Sequence, residues 1–303
     1  IGTRGSDLAL WQAHTIAGML KERGVATEIV IITTKGDAID NVPFAKLEGK
    51  GFFTKELEDA QLEGRVDFAV HSLKDLATEM PAGLQLVAMV GREDPREMLL
   101  ARPEAIDLAR QEAGETLPLI AGATIGTSAA RRQAQVHTLR PDLEIKDLRG
   151  NVPTRVNRLR EGRYDAILLA HAGLLRLDLP LHDLWAMPLE VAGFVPAPAQ
   201  GMLGIQCRRD DRWADVLATL HSADAARGVA AERELLERLD GGCHLPYGVN
   251  VQLDGPAWRL EAFLAARPDD PQPVRFGLEG SDPADLAAEA WERLRPHREA
   301  ARS

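Results

Sequence analysis

Between residues 123 and 170 the chain repeats one unit, a short apolar strand followed by a turn and a helix. Ala123 to Gly126 leads into a helix over Ala129 to Arg140, Leu143 to Leu148 into a helix over Val152 to Glu161, and Ala166 to Ala170 is a third strand. Alternation of this kind predicts a parallel sheet with helices on its faces, since each parallel strand needs a crossover to return the chain to the same edge. Ligands of such sheets sit beyond the carboxyl ends of the strands. Both turns that fall there carry arginine: G-T-S-A-A-R-R over Gly126 to Arg132, and R-G-N-V-P-T-R over Arg149 to Arg155.

Thr127 or Ser128 is a natural N-cap for the first of these helices, and Pro153 is tolerated in the first turn of the second. Arg131 and Arg132 oppose the helix dipole, which favours acidic residues in a first turn. A group from outside the chain is therefore expected to neutralise them, and guanidinium forks match carboxylate and phosphate oxygens. Arg4, where an opening strand passes through Gly5 and Ser6 into a helix, extends the pattern. The chain as a whole is acidic, with 46 Asp plus Glu against 36 Lys plus Arg and a net charge of -10. That balance excludes a general nucleic-acid binder and leaves a small polyanion as the expected ligand.

At 303 residues the chain exceeds the size of a single core. After Ser6 an apolar helical pattern runs through Leu8, Trp11, Ile16 and Leu20, and Thr27 to Thr33 is β-branched and strand-like. Lys35 to Phe53 has glycines, a proline and little periodicity, and is expected to form a mobile loop. A helix over Thr54 to Glu63 and strands over Asp67 to His71 and Leu84 to Val90 follow, with a crossing into a second domain at Gly91 to Pro95. The stretch Val191 to Cys207 is strand-like and is expected to return to the first domain. Helical patterns over Asp211 to Leu239, a glycine turn at Gly241 and Gly242, strands near Tyr247 to Leu253 and Trp258 to Ala265, and a helix over Pro283 to Leu294 predict a third, α+β domain. The expected boundaries are 1–91 with 192–209, then 96–187, then 213–303. No apolar run is long enough to span a bilayer, the start does not read as a signal peptide, and two cysteines make no disulfide framework. A cytoplasmic protein without membrane or nucleic-acid partners is expected.

Val70 to Asp75 reads V-H-S-L-K-D, a buried strand ending in Ser72, Lys74 and Asp75. Asp75 offers a carboxylate that can donate a proton or face a developing cation, and Lys74 can reach an anionic substituent. His71 and Cys207, within apolar strands, are expected to be packed. Cys243 differs, because it follows two glycines on a tight turn and can present its thiol to an electrophile. Beside His71 no second His, Cys or carboxylate stands at metal-ligand spacing, and no metal is expected.

Taken in order, I-G-T-R-G-S with L-A-L-W-Q-A, K-G-F-F-T-K-E-L-E, V-H-S-L-K-D, G-T-S with R-R-Q, L-R-G-N-V with T-R, A-G-L-L-R-L, P-A-Q-G-M-L-G-I-Q-C-R and L-D-G-G-C-H-L-P resemble the porphobilinogen deaminase (hydroxymethylbilane synthase) family from Ile1 to about Val249. The resemblance implies an α/β fold of three domains, two of them like type II periplasmic binding proteins around a cleft, plus a small α+β C-terminal domain. It implies a monomeric transferase that condenses four porphobilinogen molecules head to tail into hydroxymethylbilane with loss of ammonia. By position, Cys243 would hold a dipyrromethane cofactor through a thioether, with Ser72, Lys74, Thr127, Ser128, Arg131, Arg132, Asn151 and Arg155 around it. Asp75 would assist departure of ammonia and stabilise a cationic azafulvene. Arg4, Ser6, Arg149, Arg176 and Gln200 would contact substrate, and Lys46, Lys50 and Phe53 would belong to the loop above it. Ala129, Pro153 and Ala77 depart from the family pattern. The rival reading is a non-enzymatic anion-binding module of the periplasmic-binding-protein type, which accounts for the arginines but not for Asp75 and Cys243.

Overall fold

The computed structural model describes residues 1–34, 54–240 and 245–300. In chain order the elements are β1 (Gly2–Thr3), α1 (Asp7–Glu22), β2 (Val30–Ile31), α2 (Lys55–Leu62), β3 (Phe68–Ser72) and β4 (Leu84–Val90). Then come β5 (Glu97–Ala101), α3 (Leu108–Glu112), β6 (Thr124–Gly126), α4 (Ala130–Leu139), β7 (Glu144–Lys146), α5 (Val152–Arg160), β8 (Ala166–Ala170), α6 (His171–Leu177) and β9 (Trp185–Leu189). The remainder is β10 (Leu203–Arg208), α7 (Ala214–Ala218), α8 (Ala223–Arg238), β11 (Tyr247–Asp254), β12 (Ala257–Leu264), β13 (Val274–Gly280) and α9 (Pro283–Ala300). The chain divides into two compact units, Ile1–Glu93 with Ala199–Arg227, and Asp94–Pro198 with Gly228–Ser303.

The first unit is built on a five-stranded sheet of order β2-β1-β3-β10-β4. Strands β1, β2 and β3 run parallel, whereas β10 is antiparallel to both β3 and β4. Ile16 and Leu20, one turn apart on α1, bury against Phe68 and Val70 from alternate positions of β3. Each such aliphatic side chain contributes about 1.5–3 kcal/mol of apolar burial. Cys207 lies in the same core, fully buried as expected. Return to this unit was expected at 192 and departure after 209, but the chain returns at Ala199 and stays to Arg227. The later departure follows from packing: Trp213, Val216, Leu217 and Leu220 cover the same face as α1.

The second unit holds a five-stranded sheet of order β7-β6-β8-β5-β9 and a three-stranded antiparallel sheet β11-β12-β13. The first of these has the parallel pairing expected for β6, β7 and β8, and adds β5, which runs antiparallel to both of its neighbours, β8 and β9. Its central strands β5 and β8 are buried on both faces, Leu99 and Ala101 packing with Val136 of α4, Met98 and Leu100 with Val156 and Leu159 of α5. The three-stranded sheet buries Tyr247, Val249 and Val251 against Leu235 of α8 and Leu286 and Leu294 of α9. Helix α8 crosses β11 at Gly228, where a Cβ would lie 2.3 Å from Val251 O. The expected domain 96–187, and the part of 213–303 that begins at Gly228, thus keep separate sheets within one compact unit.

Candidate active site

In each five-stranded sheet the parallel strands deliver their last residues to one edge, and an antiparallel neighbour delivers its first residue to the same edge. In the first unit Thr3 of β1 and Ser72 of β3 end there, and β10 begins there, with Leu203 opposite Ser72. Arg4 and Ser6 follow β1; the Ser6 hydroxyl caps α1, accepting from Ala9 N at 3.4 Å. Beyond β3 a single turn of 3₁₀-helix, Leu73–Asp75, places Lys74 and Asp75, and Leu73 N donates to Met202 O at 2.9 Å. Asp75 is exposed, so its carboxylate is presented outward from a fixed turn.

Gln200 was expected to contact substrate. It is fully buried, and its Oε1 accepts from Lys74 Nζ at 3.1 Å, while its backbone oxygen accepts from Arg92 Nε at 3.3 Å. The turn around it is tight: Ala199 has φ 60°, and Gly201, at φ 88°, approaches Glu93 O so closely that a Cβ would lie 2.1 Å away. Gln200 therefore orients the lysine beside Asp75. Ser72 is held similarly, its Oγ accepting from Gln12 Nε2 at 2.7 Å. Gln12 is buried on α1, and although it stands inside L-A-L-W-Q-A, sequence reading passed over it because it follows the apolar face of that helix.

Below this edge lies a buried polar chain. Gln206 Oε1 accepts from Gln61 Nε2 at 2.9 Å and lies 3.1 Å from His71 Nε2, and Gln206 Nε2 donates to Glu58 Oε1 at 3.3 Å. Loss of hydration holds the His71 imidazole down at about 4, with the nearby Arg4 charge acting in the same direction. His71 is thus packed and neutral, as expected for a strand histidine.

In the second unit β6, β7 and β8 end at Gly126, Lys146 and Ala170, and β5 begins at Glu97, opposite Ala170. That register gives the arginines a partner no sequence pattern had announced. Glu97 is fully buried; its Oε1 takes Arg131 Nη2 at 2.5 Å, and its Oε2 takes Arg132 Nη2 at 2.7 Å and Nε at 3.1 Å. Arg131 Nη1 continues to Val195 O at 2.8 Å and Arg132 Nη1 to Leu168 O at 3.0 Å. Burial lowers the affinity of the Arg131 guanidinium for its proton, and the Glu97 charge works against that effect. The expectation that only an external group neutralises this pair is therefore corrected. Two guanidiniums share one carboxylate, so the cluster keeps one net positive charge. The signal that could have found Glu97 is an acidic residue heading the apolar run Met98 to Ala101.

Neither Thr127 nor Ser128 caps α4. The N-cap is Ala129, without a side-chain bond, and Ser128 instead staples the two arginine turns, its Oγ accepting from Leu148 N at 3.0 Å and donating to Leu148 O at 3.1 Å. Thr127 is buried and accepts from Ala129 N at 3.4 Å. Asn151 is the N-cap of α5, accepting from Thr154 N at 3.0 Å. Gly150, at φ 99°, turns the chain so that Arg155 Nε reaches Gly150 O at 2.6 Å and Arg158 Nη1 reaches Arg149 O at 2.7 Å. Arg149 is half-buried at this turn, and Arg176 is buried on α6, just past the end of β8. The structure thus gathers Arg4, Ser6, Ser72, Lys74, Asp75 and Gln200 on one sheet edge and Thr127, Ser128, Arg131, Arg132, Arg149, Asn151, Arg155 and Arg176 on the other. Cys243, Lys46, Lys50, Phe53 and the loop from Lys35 lie outside the described residues. Among the described residues no cluster of three His, Cys, Asp or Glu side chains could hold a metal, and no helix is long and apolar enough to cross a membrane.

The two sheet edges of this α/β chain thus collect guanidinium groups, hydroxyls and a helix start without a side-chain cap, the kinds of donor from which α/β proteins build sites for small anions. Residues 1–215 match the family model described as "Porphobilinogen deaminase, dipyromethane cofactor binding domain". The chain is 45% identical over 299 residues to the porphobilinogen deaminase of Trichlorobacter lovleyi, covering 97% of this chain and 92% of that one. It is 45% identical over 297 residues to the porphobilinogen deaminase of Maridesulfovibrio salexigens, covering 96% of this chain and 90% of that one. The chain belongs to the porphobilinogen deaminase family.

Proposed function

We propose that this chain condenses four porphobilinogen molecules and one water into hydroxymethylbilane with release of four ammonia, a transferase reaction of tetrapyrrole biosynthesis. The observation that carries the reading is the pairing of an exposed Asp75 with a Lys74 oriented by Gln200 at one sheet edge, in a chain whose other edge gathers arginines. Each porphobilinogen brings two carboxylates, and charge-assisted bonds to them are worth about 1.5–3 kcal/mol each. Arg4, Ser6, Arg149 and Arg176 hold the carboxylates of the incoming pyrrole. Asp75 passes a proton to the departing amine and then faces the positive charge left on the pyrrole.

The residues present also fit a dipyrromethane: the Arg131–Glu97–Arg132 cluster retains one positive charge, the α4 start has no side-chain cap, and Ser128 ties its turn to Leu148, which precedes the turn that carries Arg149 and Arg155. Attached through a thioether to Cys243, that group supplies the pyrrole carbon from which the chain grows. Arg131, Arg132 and Arg155 hold its carboxylates, with Ser72, Lys74, Thr127, Ser128 and Asn151 ordering the turns around them. Lys46, Lys50 and Phe53 act from the segment between β2 and α2. The reading includes a monomer in a reducing cytoplasm, for which light scattering gives the test of assembly state. A non-enzymatic anion-binding module would have a use for the arginines and none for Asp75, and the 45% identity to porphobilinogen deaminases does not favour it.

Intact-mass measurement tests the proposal. Purified protein is expected to be heavier than its sequence by one covalent dipyrrole, Cys243→Ser is expected to lack the increment and the activity, and an unmodified mass in active protein would overturn the attachment.

A further inference from the structure

Gln135, buried on α4, holds both backbone polar groups of Val195: its Nε2 donates to Val195 O at 2.9 Å, and its Oε1 accepts from Val195 N at 2.7 Å. Arg131, one turn earlier on the same helix, donates to the same carbonyl at 2.8 Å. From the other direction β11 closes on Val195 and the residue after it, Pro196. Val249 N donates to Pro196 O at 3.1 Å, and a Cβ on Gly248 would lie 2.8 Å from Val195 O, 2.9 Å from Pro196 O and 3.1 Å from Arg131 Cδ. Two of those three neighbours are backbone atoms, which cannot swing aside as a side-chain tip can. Phe263 of β12 and Ala265 just past its end pack in one buried apolar cluster with Val195 and Ala134. Both lone pairs of Val195 O are taken, by Arg131 and by Gln135.

Strand β11 begins at Tyr247, four residues after Cys243 in the sequence. We propose that Gln135 and Gly248 are positioning residues: they lock the start of β11 to α4, and so hold Tyr247, four residues after Cys243 in the sequence, at a fixed spacing from the Arg131–Glu97–Arg132 cluster. The inference rests on the reading that Cys243 carries the dipyrromethane. Its consequence is that acquisition of the cofactor, more than binding of later pyrroles, depends on this joint, because neither residue touches the groups assigned to the incoming substrate.

The test compares Gln135→Met, Gly248→Ala and, as a control on the same helix, Thr138→Ala, whose hydroxyl donates only to Ala134 O. Apo protein from cells unable to make porphobilinogen is incubated with porphobilinogen, and the dipyrrole mass increment is followed in time alongside the melting temperature. Gln135→Met and Gly248→Ala are expected to load at least tenfold more slowly than wild type. Once loaded, their KM for porphobilinogen is expected within twofold of wild type, while Thr138→Ala loads normally whatever its melting temperature. Loading at the wild-type rate in both joint variants overturns the inference, even if both are less stable. A wild type that gains no mass increment removes the cofactor reading and this inference with it. Should Gly248→Ala fail to fold, Gln135→Met, close in volume to the native side chain, still decides the matter.

Discussion

Glu97 Oε1 lies 2.5 Å from Arg131 Nη2 in a site where neither side chain is more than 7% exposed. The same carboxylate serves Arg132 at 2.7 Å. Removing one member of a buried ion cluster leaves the remaining charges unpaired in low dielectric, which costs about 3–5 kcal/mol. Glu97→Gln, nearly identical in shape, is expected to lose that much stability in urea denaturation. Retention of wild-type stability would mean that the two guanidiniums have an adequate substitute for this carboxylate.

Lys74 and Gln200 are coupled differently, by one hydrogen bond from a half-buried ammonium to a fully buried carboxamide. Gln200→Leu keeps the volume and removes this acceptor, loosening the hold on Lys74 beside Asp75. The expected result is a fall of about tenfold in kcat/KM, equivalent to ~1.4 kcal/mol of transition-state binding. Steady-state kinetics with porphobilinogen check it, and Gln200→Glu, which can still accept from the lysine, should recover most of the loss.

The helices and the parallel strands were legible because their signals are local: apolar residues at Leu8, Ile16 and Leu20 for α1, a short apolar run bounded by turns for β6 and β8. Strands β5 and β9 were not. Glu97 to Ala101 is buried on both faces and so shows no alternation, and β9 contains Pro188, which an edge strand tolerates but which reads as a break. Missing β5 hid Glu97, since only the antiparallel register brings that residue to the ends of β6 and β8. Strand β13 alternates Val274, Phe276 and Leu278 with Arg275, Gly277 and Glu279, and that pattern was available. Asp75, Lys74 and the arginine turns were readable from residue type and position; the roles of Gln12, Gln135 and Gln200 were not, because a buried carboxamide is identified by partners that lie far away in sequence.

Asp75 stands exposed on its turn, so it carries little of the fold. Asp75→Asn is expected to change stability by less than about 0.5 kcal/mol. Turnover should fall on the order of 10²–10⁴-fold, the range for loss of a positioned proton donor. Circular dichroism and intact mass measured beside the ammonia-release rate separate the two effects, and a rate within tenfold of wild type would count against the assigned role.

The His71 imidazole makes stability depend on pH in a stated direction. Burial, with Arg4 nearby, holds it neutral in the folded protein down to about 4, against an ordinary value of 6.5. Between those values the unfolded chain binds a proton that the folded protein refuses. The stabilisation from this group is therefore complete above pH ~6.5 and declines as pH falls toward 4, by on the order of 3 kcal/mol in total. Denaturant titrations at pH 7.5 and 4.5 should show wild type losing more stability than His71→Gln, by roughly 2 to 3 kcal/mol. The variant keeps a donor toward Gln206 without the titration, so parallel losses in the two proteins would place the pH dependence on other groups, and a steeper loss in the variant would contradict the buried neutral state.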